Sequence, residues 1–248
     1  TSDDLEKFDL NKFAGFLKDI FGERLAGLLH TINDETGDRT IATSGSLNLI
    51  YGKDKIVEEL LGLNFEISMK SFFQTNPKCA EKLYAKVVEY VLEDKSKVDN
   101  SVVMDLFCGT GTIGQIVASR SENAKIVGVD IVASAIDDAK KNAKRNNIDG
   151  LKFYAADVGK FLIAHPEYQD KIKTIILDPA RAGIAPKTLQ KIINLNADRM
   201  VYVSCNPATQ ARDTELLSEA GYQLKKISLV DQFPHTSHIE TVVLFEKN

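Results

Sequence analysis

The 248 residues carry a net charge of −4 and a pI near 5.7, which argues against a stand-alone nucleic-acid binder, because phosphate contacts need concentrated Lys and Arg. Hydrophobic residues are 44% and charged residues 27%, an ordinary soluble globular composition, and no apolar run reaches the length of a membrane span. Three cysteines (Cys79, Cys108, Cys205) cannot build a disulfide framework and are too scattered to hold an iron–sulfur cluster, which favours a reducing, cytoplasmic setting.

No secretory signal opens the chain. Its first residue is Thr1 rather than Met, so the sequence is expected to begin inside a longer protein. Residues 1–70 read as a partial α+β domain. Phe13, Phe16, Leu17, Ile20 and Phe21 follow a helical spacing after the capping-type residues Asp9 and Asn11. Leu25–Ile32 and Thr40–Tyr51 look like strands around the turn-rich stretch Asn33–Asp38. From about Pro77 helices and strands alternate. Lys78–Leu92 carries a helical apolar face in Leu83, Val87, Val88 and Val91. Apolar runs follow at Val102–Phe107, Ile126–Val129, Leu151–Tyr154, Thr174–Leu177 and Met200–Val203. Among the amphipathic stretches between them, Ala133–Arg145 is the clearest. Such alternation predicts a doubly wound, mostly parallel sheet over 71–248. Gln223–Val230 and Ile239–Phe245 have no helix between them, so an antiparallel strand is expected at the sheet's end.

The segment Asp105-Leu-Phe-Cys-Gly109-Thr-Gly111-Thr-Ile-Gly114 follows the first strand of this region and opens a helix. Its glycines fit G-x-G-x-x-G, and Asp130 ends the next strand about 20 residues on, as in a dinucleotide site. Asp105 argues otherwise. A carboxylate repels a pyrophosphate and attracts the ammonium of a methionine moiety. Acid-x-x-x-Gly-x-Gly resembles the motif of class I S-adenosylmethionine-dependent methyltransferases, in which Asp130 would accept from both ribose hydroxyls. Asp157, ending the next strand, suits an adenine amino group or a helix N-cap.

Two further segments lie at strand ends, where open α/β sheets bind ligands: Asp178-Pro-Ala-Arg181-Ala-Gly183 and Ser204-Cys205-Asn206-Pro207. Cys205 ends one apolar run and Glu240, in His238-Ile-Glu240-Thr241, opens another. A thiolate is a strong nucleophile and a carboxylate a usable base. If the fold joins the two ends, the pair can add to a carbon and later remove its proton. Cys79 and Cys108 read as structural.

Taken with Ser71-Phe72-Phe73-Gln74-Thr75-Asn76, these segments resemble, in order and over residues 71–243, the RNA 5-methyluridine methyltransferases. The resemblance implies a seven-stranded class I (Rossmann-like) sheet, S-adenosylmethionine as methyl donor, and a uridine of rRNA or tRNA as substrate. It carries donor contacts to Gln74, Phe107, Thr112, Asp130, Asp157 and Asp178 beside Asp105, Gly109 and Gly111, the nucleophile to Cys205 and the base to Glu240. Phe73, Asp178 and Arg181 are expected at the substrate, with Phe72 or Phe73 either stacking on the base or packing in the core. Arg181 is read as an RNA-phosphate contact, a support for Asp178, or a surface ion pair. Departures are Thr112, often Asn in the family, and Asp-Pro-Ala-Arg in place of Asp-Pro-Pro-Arg. Members of the family commonly carry an N-terminal β-barrel and, in some, an iron–sulfur motif, and neither is read within these 248 residues. A monomer without metal is expected, since His235 and His238 lack further ligands. Competing readings are a 5-methylcytosine methyltransferase, a non-catalytic RNA-binding module and an NAD-dependent dehydrogenase.

Overall fold

A computed structural model describes residues 8–31, 47–69 and 71–247. They fall into two compact units, Thr1–Glu58 with Glu66–Ser71, and Glu59–Phe65 with Phe72–Asn248.

In the small unit, helix α1 (Leu10–Phe21) starts at Asp9, whose carboxylate accepts from Lys12 N at 2.9 Å. It stops at Gly22, where φ is +53°. Strands β1 (Gly27–Thr31) and β2 (Leu47–Gly52) pair antiparallel. The expected turn at 33–38, and the start of the strand expected over 40–51, lie outside the described residues. The sequence reading had no counterpart for β3 (Lys55–Leu60) and β4 (Leu63–Ser68), which form a two-stranded sheet. Leu61 and Gly62 join them with φ +52° and +86°, the positive pair that a tight two-residue hairpin turn requires. The hairpin's tip belongs to the larger unit, where Leu60 and Phe65 are fully buried in its core.

The larger unit is built on β5 (Val102–Leu106), β6 (Lys125–Asp130), β7 (Leu151–Ala155), β8 (Ile172–Leu177), β9 (Arg199–Ser204), β10 (Tyr222–Val230) and β11 (Glu240–Lys247). They form one sheet in the order β10-β11-β9-β8-β5-β6-β7. Neighbours from β9 through β7 are parallel, and β11 is antiparallel to both β9 and β10. The antiparallel strand therefore lies one place in from the edge, not at it. Helices α2 (Pro77–Leu92), α3 (Thr112–Ala118), α4 (Ala133–Arg145), α5 (Val158–Ala164), α6 (Pro186–Ile193) and α7 (Pro207–Glu219) complete the unit.

Strands β5, β6, β8, β9 and β11 read as apolar runs because both their faces are covered, whereas the edge strand β10 is largely exposed. Val103, Ile176, Val201, Val242 and Leu244 pack with Leu83 and Val87 of α2 and Ile116 of α3. Their strand neighbours Met104, Ile175, Met200, Val243 and Phe245 point the other way, to Phe161 of α5, Leu189 and Ile192 of α6 and Leu217 of α7. The loops at the carboxyl ends of the parallel strands, together with the start of β11, carry a group of acids and the thiol of Cys205.

Candidate active site

Asp105 sits near the end of β5 at 1% exposure, and its Oδ2 accepts from Gly114 N at 3.0 Å. Its Oδ1 is buried with no hydrogen-bond partner. Burial pushes this carboxyl up to about 7, with the Asp130 charge adding to the shift and the Gly114 N–H opposing it. A cation reaching Oδ1 would satisfy the orphaned atom and restore the charged form. The third glycine has a steric reason: a Cβ at Gly114 would lie 2.8 Å from Asp105 Oδ2.

The chain then turns sharply. Phe107 is held at φ +62°, a left-handed conformation that costs a non-glycine residue on the order of 1–3 kcal/mol. The N–H groups of Phe107 and Cys108 both reach Val129 O, at 2.9 and 3.2 Å, and so fasten the turn to β6. Gly109 and Gly111 have φ +52° and +66°, and a Cβ on Gly111 would lie 2.5 Å from the Phe153 ring. Gly109 N donates to Asp130 Oδ2 at 2.9 Å, while Asp130 Oδ1 accepts from Val132 N at 2.8 Å. Each oxygen keeps a lone pair for a further donor. Thr112 is buried in the first turn of α3, its Oγ1 3.0 Å from Thr110 Oγ1. Asp157 is the N-cap of α5 and accepts from Lys160 N at 2.9 Å. Burial raises the Cys108 thiol well above its ordinary value, which suits an inert packing role.

Asp178 follows β8 and donates its N–H to Leu106 O at 3.3 Å, which seats it beside the end of β5. Burial and then the charges of Glu240, Asp105 and Asp130 push its carboxyl up to about 8. The loop from Asp178 to Ile184 is tied to α7. Arg181 O accepts from Asn206 Nδ2 and Thr209 Oγ1, both at 3.2 Å, and buried Asp213 accepts from Ile184 N at 2.9 Å.

Cys205 follows β9 and Glu240 begins β11. Thr241 pairs with Ser204 across the antiparallel ladder, so Cys205 and Glu240 lie one step beyond it, side by side. The Thr241 hydroxyl lies 3.1 Å from Ser204 O and 2.6 Å from Gln210 Oε1, and Gln210 Nε2 donates to Tyr202 O at 2.9 Å. Burial raises the Cys205 thiol, as do the charges of Glu240 and Asp178, while Arg181 opposes them. Burial also raises the Glu240 carboxyl, which is 6% exposed. A thiol, a proton acceptor and a group of buried acids thus share one end of the sheet.

Gln74 is buried and accepts from Gln232 Nε2 at 3.4 Å. Gln232, in the loop before β11, also donates to Asn76 O at 3.3 Å, and Asn76 Nδ2 returns a bond to Gln232 O at 3.0 Å. Tyr84 of α2 hydrogen-bonds Gln74 and lies in the field of Asp178, Glu240 and Asp105; burial first, then those charges, raise its phenol. Sequence reading passed over Tyr84 and Gln232. Nothing in their spacing marks them. The two aromatics differ in placement. Phe73 packs against the core with its ring 6.2 Å from Phe65, whereas Phe72 is 70% exposed. Arg181 is exposed, and its Nη1 donates to His238 Nδ1 at 3.3 Å. Among the described residues, no cluster of three or more His, Cys, Asp or Glu side chains could hold a metal ion, and no helix is long and apolar enough to cross a membrane.

A doubly wound sheet with an antiparallel strand inserted beside its edge, and an acidic glycine loop after β5, defines a class I methyltransferase fold. The profile of the tRNA (Uracil-5-)-methyltransferase family matches residues 17–248, and the chain belongs to that family. A protein of Clostridium tetani named an uncharacterized RNA methyltransferase is 44% identical over 237 residues, 95% of this chain and 50% of its own length. One of Clostridium acetobutylicum with the same kind of name is 44% identical over 242 residues, 97% of this chain and 50% of its own. The crystal structure of the Pyrococcus abyssi tRNA (uracil-54, C5)-methyltransferase in complex with S-adenosyl-L-homocysteine superimposes with a TM-score of 0.70. It is 30% identical and covers 89% of this chain and 50% of that one. The chain thus spans about half the length of the curated relatives it matches.

Proposed function

We propose that this chain binds S-adenosylmethionine and methylates carbon 5 of a uridine in tRNA or rRNA, with Cys205 as nucleophile and Glu240 as base. The observation that carries the reading is the register that sets Glu240 beside Cys205 at the end of the sheet that also bears the donor loop.

The residues of the loop fit the donor. Asp105 Oδ1, buried and unpartnered, accepts the ammonium of the methionine moiety. Asp130 takes the ribose hydroxyls through its remaining lone pairs, and Asp157 both caps α5 and accepts from the adenine amino group. Gly109 leaves open space on its exposed side, since a Cβ there would meet nothing within 4 Å. Phe107, Thr112 and Gln74 line the remainder, with Asp178 between donor and substrate. When bound, S-adenosylmethionine supplies a methyl group made electrophilic by its sulfonium.

Carbon 5 of uracil is too weak a nucleophile to attack such a methyl unaided. Cys205 thiolate adds to carbon 6, and the electrons of the 5,6 double bond move to carbon 5 and the carbonyl oxygen at carbon 4. Once carbon 5 has gained its methyl group, Glu240 removes the proton still on it. The electrons of that C–H bond re-form the double bond and expel the Cys205 sulfur. Raised by burial, Glu240 becomes a stronger base than a surface carboxylate. The uridine must leave its stack to reach the thiol, and Phe72, exposed where Phe73 is packed, offers a ring for it. The test is incubation with labelled donor and total RNA from a strain lacking the gene, followed by nucleoside mass spectrometry. New 5-methyluridine, lost in Cys205→Ala, is expected; 5-methylcytidine, or undiminished activity of Cys205→Ala, would overturn the reading.

A further inference from the structure

The charged groups facing Cys205 come from two places, the start of β11 and the loop after β8. Glu240 at the start of β11 and Asp178 after β8 both disfavour a thiolate, and Arg181, in the loop after β8, favours one. A thiol hemmed in by two acids is a poor nucleophile unless a cation is kept at hand, because the thiolate is the reactive form. Arginine is long and flexible, so keeping it there takes anchors at both ends of the residue. The structure has both.

At the backbone end, Arg181 O accepts from Asn206 Nδ2 and Thr209 Oγ1, each at 3.2 Å. Asn206 is the residue after the thiol, so this clamp fixes Arg181 relative to Cys205. Further along, Arg212 Nη2 donates to Ala182 O and Ile184 O, both at 3.3 Å. Gly183 is held at φ +75°, where a Cβ would lie 2.7 Å from Arg212 Nη2. At the guanidinium end, Nη1 donates to His238 Nδ1 at 3.3 Å. With Nδ1 accepting, the ring proton resides on Nε2. His238 lies two residues before Glu240, and its own N–H is held by Thr236 Oγ1 at 3.2 Å. One residue thus joins the loop that carries the base, through its side chain, to the segment that carries the thiol, through its backbone carbonyl.

We propose that Arg181 is the charge partner of the Cys205 thiolate, and that His238 is the positioning residue that aims it. The guanidinium offsets the two acids before substrate arrives, and it remains beside the sulfur when elimination restores the thiolate. The inference rests on Cys205 as the nucleophile, but its test reads the thiol directly and needs neither RNA nor donor.

The measurement is the rate of iodoacetamide alkylation at Cys205 against pH, followed by peptide mass spectrometry so that Cys79 and Cys108 do not contribute. Arg181→Gln is expected to move the midpoint upward and to lower the rate near neutral pH about three- to tenfold, half to one pH unit of thiolate. Arg181→Lys should recover part of the loss, since it keeps the charge without the planar fork. His238→Ala should give a smaller upward shift, and it carries the test should Arg181→Gln fail to fold. An unmoved midpoint in Arg181→Gln, or in His238→Ala where that variant must stand in, would overturn the pairing and leave Arg181 as a contact to RNA phosphate. A shifted midpoint in a protein that methylates no RNA would support the pairing and overturn the methylation reading alone.

Discussion

Glu240 stands beside Cys205 because β11 runs against β9: Thr241 faces Ser204, and the proposed base and nucleophile lie one step beyond that pair. In a sheet whose strands all ran parallel, a residue opening a strand would lie at the opposite end from one closing its neighbour. Reversal of the last strand brings the start of β11 to the carboxyl end of β9. Its insertion between β9 and β10 makes the two contiguous.

That register depends on a buried clamp. The Thr241 hydroxyl bridges Ser204 O and Gln210 Oε1. Thr241→Val keeps the shape and removes the hydroxyl, leaving Gln210 Oε1 without that partner. A cost of about 1–3 kcal/mol is expected, visible as a lower midpoint in thermal unfolding. Turnover should fall while affinity for S-adenosylhomocysteine stays within about twofold of wild type. Equal losses in both would mean that the clamp supports the whole sheet, not the pair.

Asp105 tests the donor loop. Asp105→Asn preserves the size of the side chain and removes the charge that an ammonium would meet. Calorimetric titration with S-adenosylhomocysteine should show binding weakened about ten- to a hundredfold, the value of a charge-assisted hydrogen bond. The unliganded variant should melt no lower than wild type, because a buried charge has been removed. Unchanged affinity would remove Asp105 from the donor site.

The buried acids give the stability of the free protein a definite pH dependence. Asp105 and Asp178 are raised to about 7 and about 8 in the folded chain, against about 4 in an unfolded one. Groups raised in this way contribute stability that is complete below the ordinary carboxyl range and is lost as pH climbs through the folded values. The melting temperature of the donor-free chain should therefore fall from about pH 4 to about pH 8 and level off above it, at up to about 1.4 kcal/mol of stability per group per pH unit. Asp178→Asn should flatten the fall. A flat wild-type curve over that range would mean that the acids are not strained by burial.

Much of this was legible in the sequence, and the reasons are local. Strands covered on both faces read as apolar runs, so β5 to β9 were found to within two residues, and α4 was found at its exact bounds. The donor loop was legible because Gly111 and Gly114 answer steric demands that only glycine meets. Asp157 was assigned two roles, and the structure realises the capping one. The β3–β4 hairpin escaped because its turn uses Leu61-Gly62 in place of Asn-Gly or Asp-Gly, and Leu61 gives no sign of a positive φ. Tyr84 and Gln232 escaped because their importance lies in a buried network between residues 158 positions apart, Gln74 and Gln232. Spacing along the chain carries no trace of such a contact. The antiparallel strand was expected at the edge because sequence order says nothing about insertion between earlier strands.

The most direct test of the account asks whether Cys205 and Glu240 act in succession on one uridine. Glu240→Gln, incubated with RNA and S-adenosylmethionine, is predicted to stall after methyl transfer. A covalent RNA–protein band should appear on a denaturing gel, carrying the labelled methyl group and disappearing when Cys205→Ala is added to the same chain. Release of 5-methyluridine by Glu240→Gln at the wild-type rate, with no such band, would contradict it.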